Sequence, residues 1–181
     1  MELADHIDRI VFLDTETTGF GPESGHRIVE IGAVEYDRNY NPTGRAFQTY
    51  LDPCRDIPGG AFRVHGLSRA FLARQPLFAG KADAFVEFVE GALVIIHNAP
   101  FDVGFLDKEF EIAGRRERME EIATIACSVR IARSIHPGEK ASLDALCVRY
   151  GVDNSQRDKH GALLDSHLLA RMFCRMIAHH S

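Results

Sequence analysis

The sequence predicts an α/β fold, a mixed five-stranded sheet flanked by helices. Three observations predict it. Short apolar runs such as "IVFL" (10–13) and "ALVII" (92–96) read as strands buried on both faces. Strand signals come first and then alternate with helix signals, the order expected of one mixed sheet with helices packed against it. The 181 residues show no internal repeat, low-complexity tract or long linker, so one domain over 1–181 is expected.

The first strand is expected at about 9–14, followed by the Gly-rich connection "GFGPESG". In "HRIVEIGAVEYD", Ile28 and Glu30 alternate with Val29 and Ile31, a strand pattern with Gly32 inside it. The turn-rich "RNYNPTG" leads into a third strand, "RAFQTYLD". Helical signals begin after "VHGLS", where Ser68 is a good N-cap. Pro76 opens the next helix, with Phe78, Phe85, Phe88 and Val89 on one face and Gly91 at its end. "ALVIIH" is the fourth strand. In "FDVGFLDKEFEIAG", Phe101, Phe105, Leu106, Glu109 and Ile112 share a helical face that Gly114 closes. A short fifth strand is expected in "EEIATIAC", then a helix over 128–134 stopped by "HPG". Ser142 caps "SLDALCVRYG", and the last helix runs over 161–177.

Composition narrows the function classes. With 45% hydrophobic and 26% charged residues, the chain is not of the disordered kind. Its apolar runs are too short to span a membrane, and "MELADHIDR" lacks the apolar core of a secretory signal. Cys54, Cys127, Cys147 and Cys174 are scattered without a C-x-x-C, which points to reduced thiols and a cytoplasmic protein. A net charge of −5 argues against a protein that coats nucleic acid, but not against an enzyme that grips a chain end.

The informative feature is a set of acids next to apolar segments. Asp14 and Glu16 follow "IVFL" two apart, so a strand would point both to one side. Asp102 stands just past the strand "LVII" in the first turn of a helix. Asp165 sits among Leu164, Leu168, Leu169 and Phe173 on the last helix. Each acid has a plainer reading: Asp14 as a strand-end turn former, Asp102 as a capping residue, Asp165 as the partner of a cation such as Arg171. Together they make an oxygen-only donor set that suits Mg²⁺ or Mn²⁺ rather than zinc. Two such ions form a known clamp for in-line attack on a phosphodiester. His160, in H-x-x-x-x-D with Asp165, is of the residue type that accepts a proton from water near neutral pH, or else is an exposed loop histidine. "GFGPESG" lacks the G-K-[ST] of a phosphate loop and reads as a turn.

The segments "FLDTETTGF…HRIVEIGAV", "VIIHNAPFDVGFLDKEF" and "HGALLDSHLLARMF" resemble the three motifs of the DEDDh family of 3′→5′ exonucleases. The likeness is greatest to its proofreading branch, the epsilon subunits of bacterial DNA polymerase III, and it extends to "VHGLS", "HPGEKASL" and "SLDALCVRYGVDNS". The resemblance implies a ribonuclease H-like fold. It implies two Mg²⁺ or Mn²⁺ ions on Asp14, Glu16, Asp102 and Asp165, with Asp14 bridging them and His160 as general base. It implies release of 5′-mononucleotides from a single-stranded or frayed DNA 3′ end, with Thr17, His65, Asn98 and Phe101 against substrate. For Phe101 and His65 the plainer readings are a core ring and a histidine bonded to backbone. The polymerase partner would be met through a tail that this sequence lacks.

Two positions depart from the family pattern. Gly60 stands where a Glu is usual before the "VHG" histidine, and Cys127 where an Asp often precedes the Ser or Thr of the fifth strand. Two alternatives stay open at this point: a free-standing relative that trims RNA ends or acts in DNA repair, and a binding module that kept only the fold.

Overall fold

The computed structural model describes residues 7–157 and 159–180, so the acidic stretch before Ile7 lies outside the described residues. β1 (Arg9–Thr17), β2 (Ile28–Asp37) and β3 (Pro42–Tyr50) form an antiparallel meander. Next come the short helices α1 (Gly59–His65) and α2 (Arg69–Leu72), and then α3 (Ala82–Val89). β4 (Leu93–Ile96) runs parallel to β1 and leads into α4 (Ala99–Ile112). After α5 (Met119–Ile122), β5 (Thr124–Cys127) pairs parallel to β4. α6 (Ser128–Ile135), α7 (Leu143–Arg149) and α8 (Ala162–His179) complete the chain. The sheet order is β3-β2-β1-β4-β5, the mixed five-stranded sheet that the sequence predicts.

The period of two along each strand divides the core into two layers. Val11, Leu13, Ile31, Val94 and Ile96 pack with Phe85, Phe105 and Phe110 of α3 and α4. Ile10, Phe12, Val34, Leu93 and Ile95 pack with Leu146 of α7 and Leu169, Met172 and Phe173 of α8. Burying one such side chain contributes roughly 1.5–3 kcal/mol, so both helical layers are held mainly by apolar area. Gly32 has a structural reason: a Cβ there would lie 2.2 Å from the Leu163 backbone nitrogen, so only glycine lets α8 cross β2 this closely. Ser166 then stitches the crossing, its hydroxyl donating to the carbonyls of Gly32 and Ala162, each at 2.8 Å.

Several expected boundaries move. β1 continues to Thr17 because β2 keeps pairing with it past Asp14, up to an irregularity at Glu16/Thr17, so both acids lie within the strand. β3 starts at Pro42, since as an edge strand it tolerates proline. "GGAFRVH" is a helix that its two opening glycines disguise; it ends at Gly66, which takes a left-handed φ of 73°. Pro76 lies outside α3, which follows a 3₁₀ turn over Phe78–Gly80. Ile112 is half exposed at the end of α4 rather than on the core face. The caps at Ser68 and Ser142 form as expected, their hydroxyls accepting from Phe71 and Ala145 N–H. No helix among the described residues is long and apolar enough to cross a membrane.

Candidate active site

Parallel pairing of β1 and β4 brings their C-terminal ends together, the edge at which open α/β sheets place their sites. Asp14 and Glu16 share the β1 face of Ile10 and Phe12, the face that α8 covers. Asp165 meets them there from the first turn of α8. Thr15 points to the opposite face, and its hydroxyl donates to Asp102 Oδ1 at 2.7 Å, fixing the first turn of α4 against β1. Asp102, Glu16 and Asp165 are all buried. One ligand atom each from Glu16, His160 and Asp165 lie within 4.8 Å of one another.

Clustered, dehydrated carboxylates resist ionisation. Burial, then the charges of Asp102, Glu16 and Asp165, hold the Asp14 carboxyl well above the usual range. Burial, followed by the charges of Asp165 and Glu30, pushes Glu16 up to about 8. Burial raises Asp102 to about 7 against the hydrogen bond from Thr15. A site of carboxylate oxygens that needs positive charge to ionise matches the donor chemistry of a hard divalent cation. The fold itself supplies one cation. Arg157 donates from Nε to Asp165 Oδ1 at 2.7 Å and from Nη2 to Asp165 Oδ2 at 2.6 Å, with Nη1 on Asp144 at 2.8 Å. The expected alternative partner of Asp165, Arg171, is thus replaced by Arg157; six residues on, Arg171 leaves α8 on another face.

His160 lies on the approach to α8, anchored by its N–H to the Val64 carbonyl at 3.1 Å, and its side chain is 43% exposed. Glu30, buried in β2, accepts from the Ala162 N–H at 3.1 Å and so holds the first turn of α8 in place. Beside the acids opens a cavity of about 680 Å³, walled by residues 15–20, by Pro58, Gly60, Ala61, Val64 and His65 of the α1 region, and by Phe101 and His160.

The cavity settles several of the plainer readings. His65 ends α1 and accepts the Leu67 N–H on Nδ1 at 2.9 Å, so the backbone bond exists. That bond leaves the proton of the neutral ring on Nε2, which is buried, without a partner among the described residues, and part of the cavity wall. Burial and Lys159 lower the His65 pKa and favour this neutral form. Phe101 packs on Phe105 at 4.9 Å between centroids and also faces the cavity, so it is both core and wall. Thr17 lines the wall and donates to the Gly19 carbonyl at 2.8 Å. Asn98 is exposed at the left-handed N-cap of α4, outside the cavity lining. Gly60 lines the cavity, and a Cβ there would meet open space. Cys127 belongs to another depression, beside β5.

Four residues escape the sequence reading. Thr15 and Glu30 act through partners far along the chain, whereas Arg157, three residues before His160 and eight before Asp165, is a visible cation near the motif. Phe20 reads as turn filler, yet it is 89% exposed at the cavity with its ring 6.4 Å from that of Phe101. An exposed phenylalanine flanked by glycines is the signal that was available.

A family profile described as Exonuclease (RNase_T) matches residues 11–173. The chain is 49% identical over 170 residues to a DNA polymerase III subunit epsilon of Rickettsia conorii, covering 93% of this chain and 74% of that protein. It is 45% identical over 175 residues to the epsilon subunit of Escherichia coli, covering 94% and 72%. A zinc-bound exonuclease I of E. coli in complex with single-stranded DNA superposes with a TM-score of 0.82 at 17% identity, over 94% of this chain and 41% of that one, a likeness of fold. On these grounds the chain belongs to the exonuclease family, the 3′→5′ exonucleases among which epsilon subunits fall.

Proposed function

We propose that residues 1–181 act as one exonuclease domain that hydrolyses the 3′-terminal phosphodiester of single-stranded or frayed DNA, in replication proofreading. The observation that carries this reading is the meeting of a buried carboxylate cluster with an open cavity of about 680 Å³ beside it. Asp14, Glu16, Asp102 and Asp165 are the residues that would hold two Mg²⁺ or Mn²⁺ ions. Such ions, when bound, neutralise the phosphate, activate water and stabilise the leaving oxygen.

The chain's own groups do the rest. His160, at the cavity rim and open to water, takes the proton of the attacking water on an imidazole nitrogen. His65 offers its buried Nε2–H to an oxygen of the terminal nucleotide; an unpartnered buried donor costs about 1–3 kcal/mol in the free protein, which substrate would relieve. Phe20 and Phe101 present ring faces to the terminal base, a contact that is indifferent to sequence and worth roughly 1–3 kcal/mol per base. Thr17 shapes the floor through its bond to Gly19. Asn98, exposed at the start of α4, would touch the substrate from outside the cavity lining. The working partner is a DNA polymerase III catalytic subunit, in the cytoplasm; relatives that carry the polymerase III name support this.

The test is digestion of 5′-labelled oligonucleotides. Stepwise shortening from the 3′ end, faster at a mismatched than at a paired terminus and absent in EDTA, is the expected result. Faster turnover of the matched RNA would replace the proofreading role with RNA trimming, and internal cleavage would overturn the reading.

A further inference from the structure

Arg157 does more than balance charge. Its guanidinium takes both oxygens of Asp165 in a two-pronged pair, at 2.7 and 2.6 Å, while Nη2 also lies 3.2 Å from His160 Nδ1. The side chain is only 10% exposed, so this pairing is a packed arrangement rather than a loose surface contact. Its third nitrogen rests on Asp144 of α7, whose carboxylate is 57% exposed and takes no part in the cluster. Arg157 thus has one hand on the site and one on a neighbouring helix.

A divalent ion binds a carboxylate oxygen at roughly 2.0–2.6 Å. On Asp165 it would stand within a few ångströms of the guanidinium, and like charges that close disfavour joint occupancy. We propose that Arg157 is the resident cation of this site: it holds Asp165 and His160 in position before metal enters, then yields Asp165 to the ion while keeping Asp144. Arg157 is therefore a positioning residue whose grip on Asp165 sets how tightly the site takes a divalent ion. The inference rests on the proposed role of Asp165 as a metal ligand.

The experiment is titration of Mn²⁺ into metal-stripped protein, with free Mn²⁺ followed by electron paramagnetic resonance. Arg157→Gln keeps a hydrogen-bond donor without the charge, and Arg157→Lys keeps the charge without the two-pronged geometry. Mn²⁺ affinity is expected to rise roughly tenfold in the Gln variant and by less in the Lys variant. A merely structural arginine gives the opposite sign, since a ligand left unoriented binds metal more weakly. Unchanged or weaker binding in the variants, with the wild type binding Mn²⁺, overturns the inference and leaves the metal site standing. No binding by the wild type overturns the metal site itself. Should the Gln variant lack its native circular dichroism without metal, the Lys variant decides alone, because it retains a counter-ion.

Discussion

The carboxylate cluster stands on β1, α4 and α8, elements locked by sheet pairing, by two apolar layers and by the hydrogen bonds that Thr15 donates to Asp102 and Glu30 accepts from Ala162. The cavity beside it is walled by the 17–20 connection and by the seven-residue α1, and it exposes Phe20 and Val64 to solvent. One half concentrates like charges in a dry, rigid frame; the other offers apolar faces on lighter supports. The difference teaches how the work is divided. Groups that must hold ions against mutual repulsion need the rigid frame. Groups that accept any of four bases need area and little directional bonding.

Substitutions separate the two halves. Asp14→Ala is expected to lower exonuclease turnover by several orders of magnitude while the circular dichroism spectrum stays native, because removing one buried like charge relieves repulsion in the frame. Near-normal turnover in that variant would mean that the cluster is not the reaction centre. His160→Ala should reduce kcat by roughly 10²- to 10⁴-fold, the range of a general base, with little change in KM. A change confined to KM would move His160 to the cavity side of the division. Phe20→Ala works on the other half: KM for single-stranded DNA rises, corresponding to about 1–3 kcal/mol of lost stacking, with melting temperature unchanged because the ring is exposed. A lost kcat with unaltered KM would break the proposed division.

The smallest expected effect is on stability. Glu16 and Asp102 have folded-state pKa values raised to about 8 and about 7, so the folded protein binds more protons than the unfolded chain above about pH 4. The stability linked to these protons is present at low pH and is lost as pH rises through about 7 to 8. In EDTA the melting temperature should fall by roughly 5–10 °C from about pH 5 to pH 8, and Mn²⁺ should restore most of the loss. A melting temperature independent of both would contradict a cluster held protonated by its surroundings.

Much of this was legible in the sequence, for reasons that differ between the two halves. The acids stand out because Asp14, Glu16, Asp102 and Asp165 each interrupt or adjoin an apolar pattern, and period alone places Asp14 and Glu16 on one face. β1 and β4 follow from apolar runs of the same kind, whereas β3, mostly exposed at the sheet edge, is read from the turn before it. The supports were hidden because Thr15 and Glu30 are ordinary residues until a distant segment folds against them, and because one arginine near the motif does not by itself say which acid it pairs with. α1 was missed because its glycines speak against a helix and only His65 of its seven residues is buried, so no apolar face marks it. Phe20 was missed because a turn and a binding wall share one composition.

The central claim is that the buried acids form a site for divalent ions. Calorimetric titration of Mn²⁺ into metal-stripped wild-type protein and Asp14→Ala tests it most directly. The account predicts two ions bound per wild-type chain, and binding weakened or lost once the Asp14 carboxylate is removed. Failure of the wild type to bind Mn²⁺, or identical binding by both proteins, would contradict it.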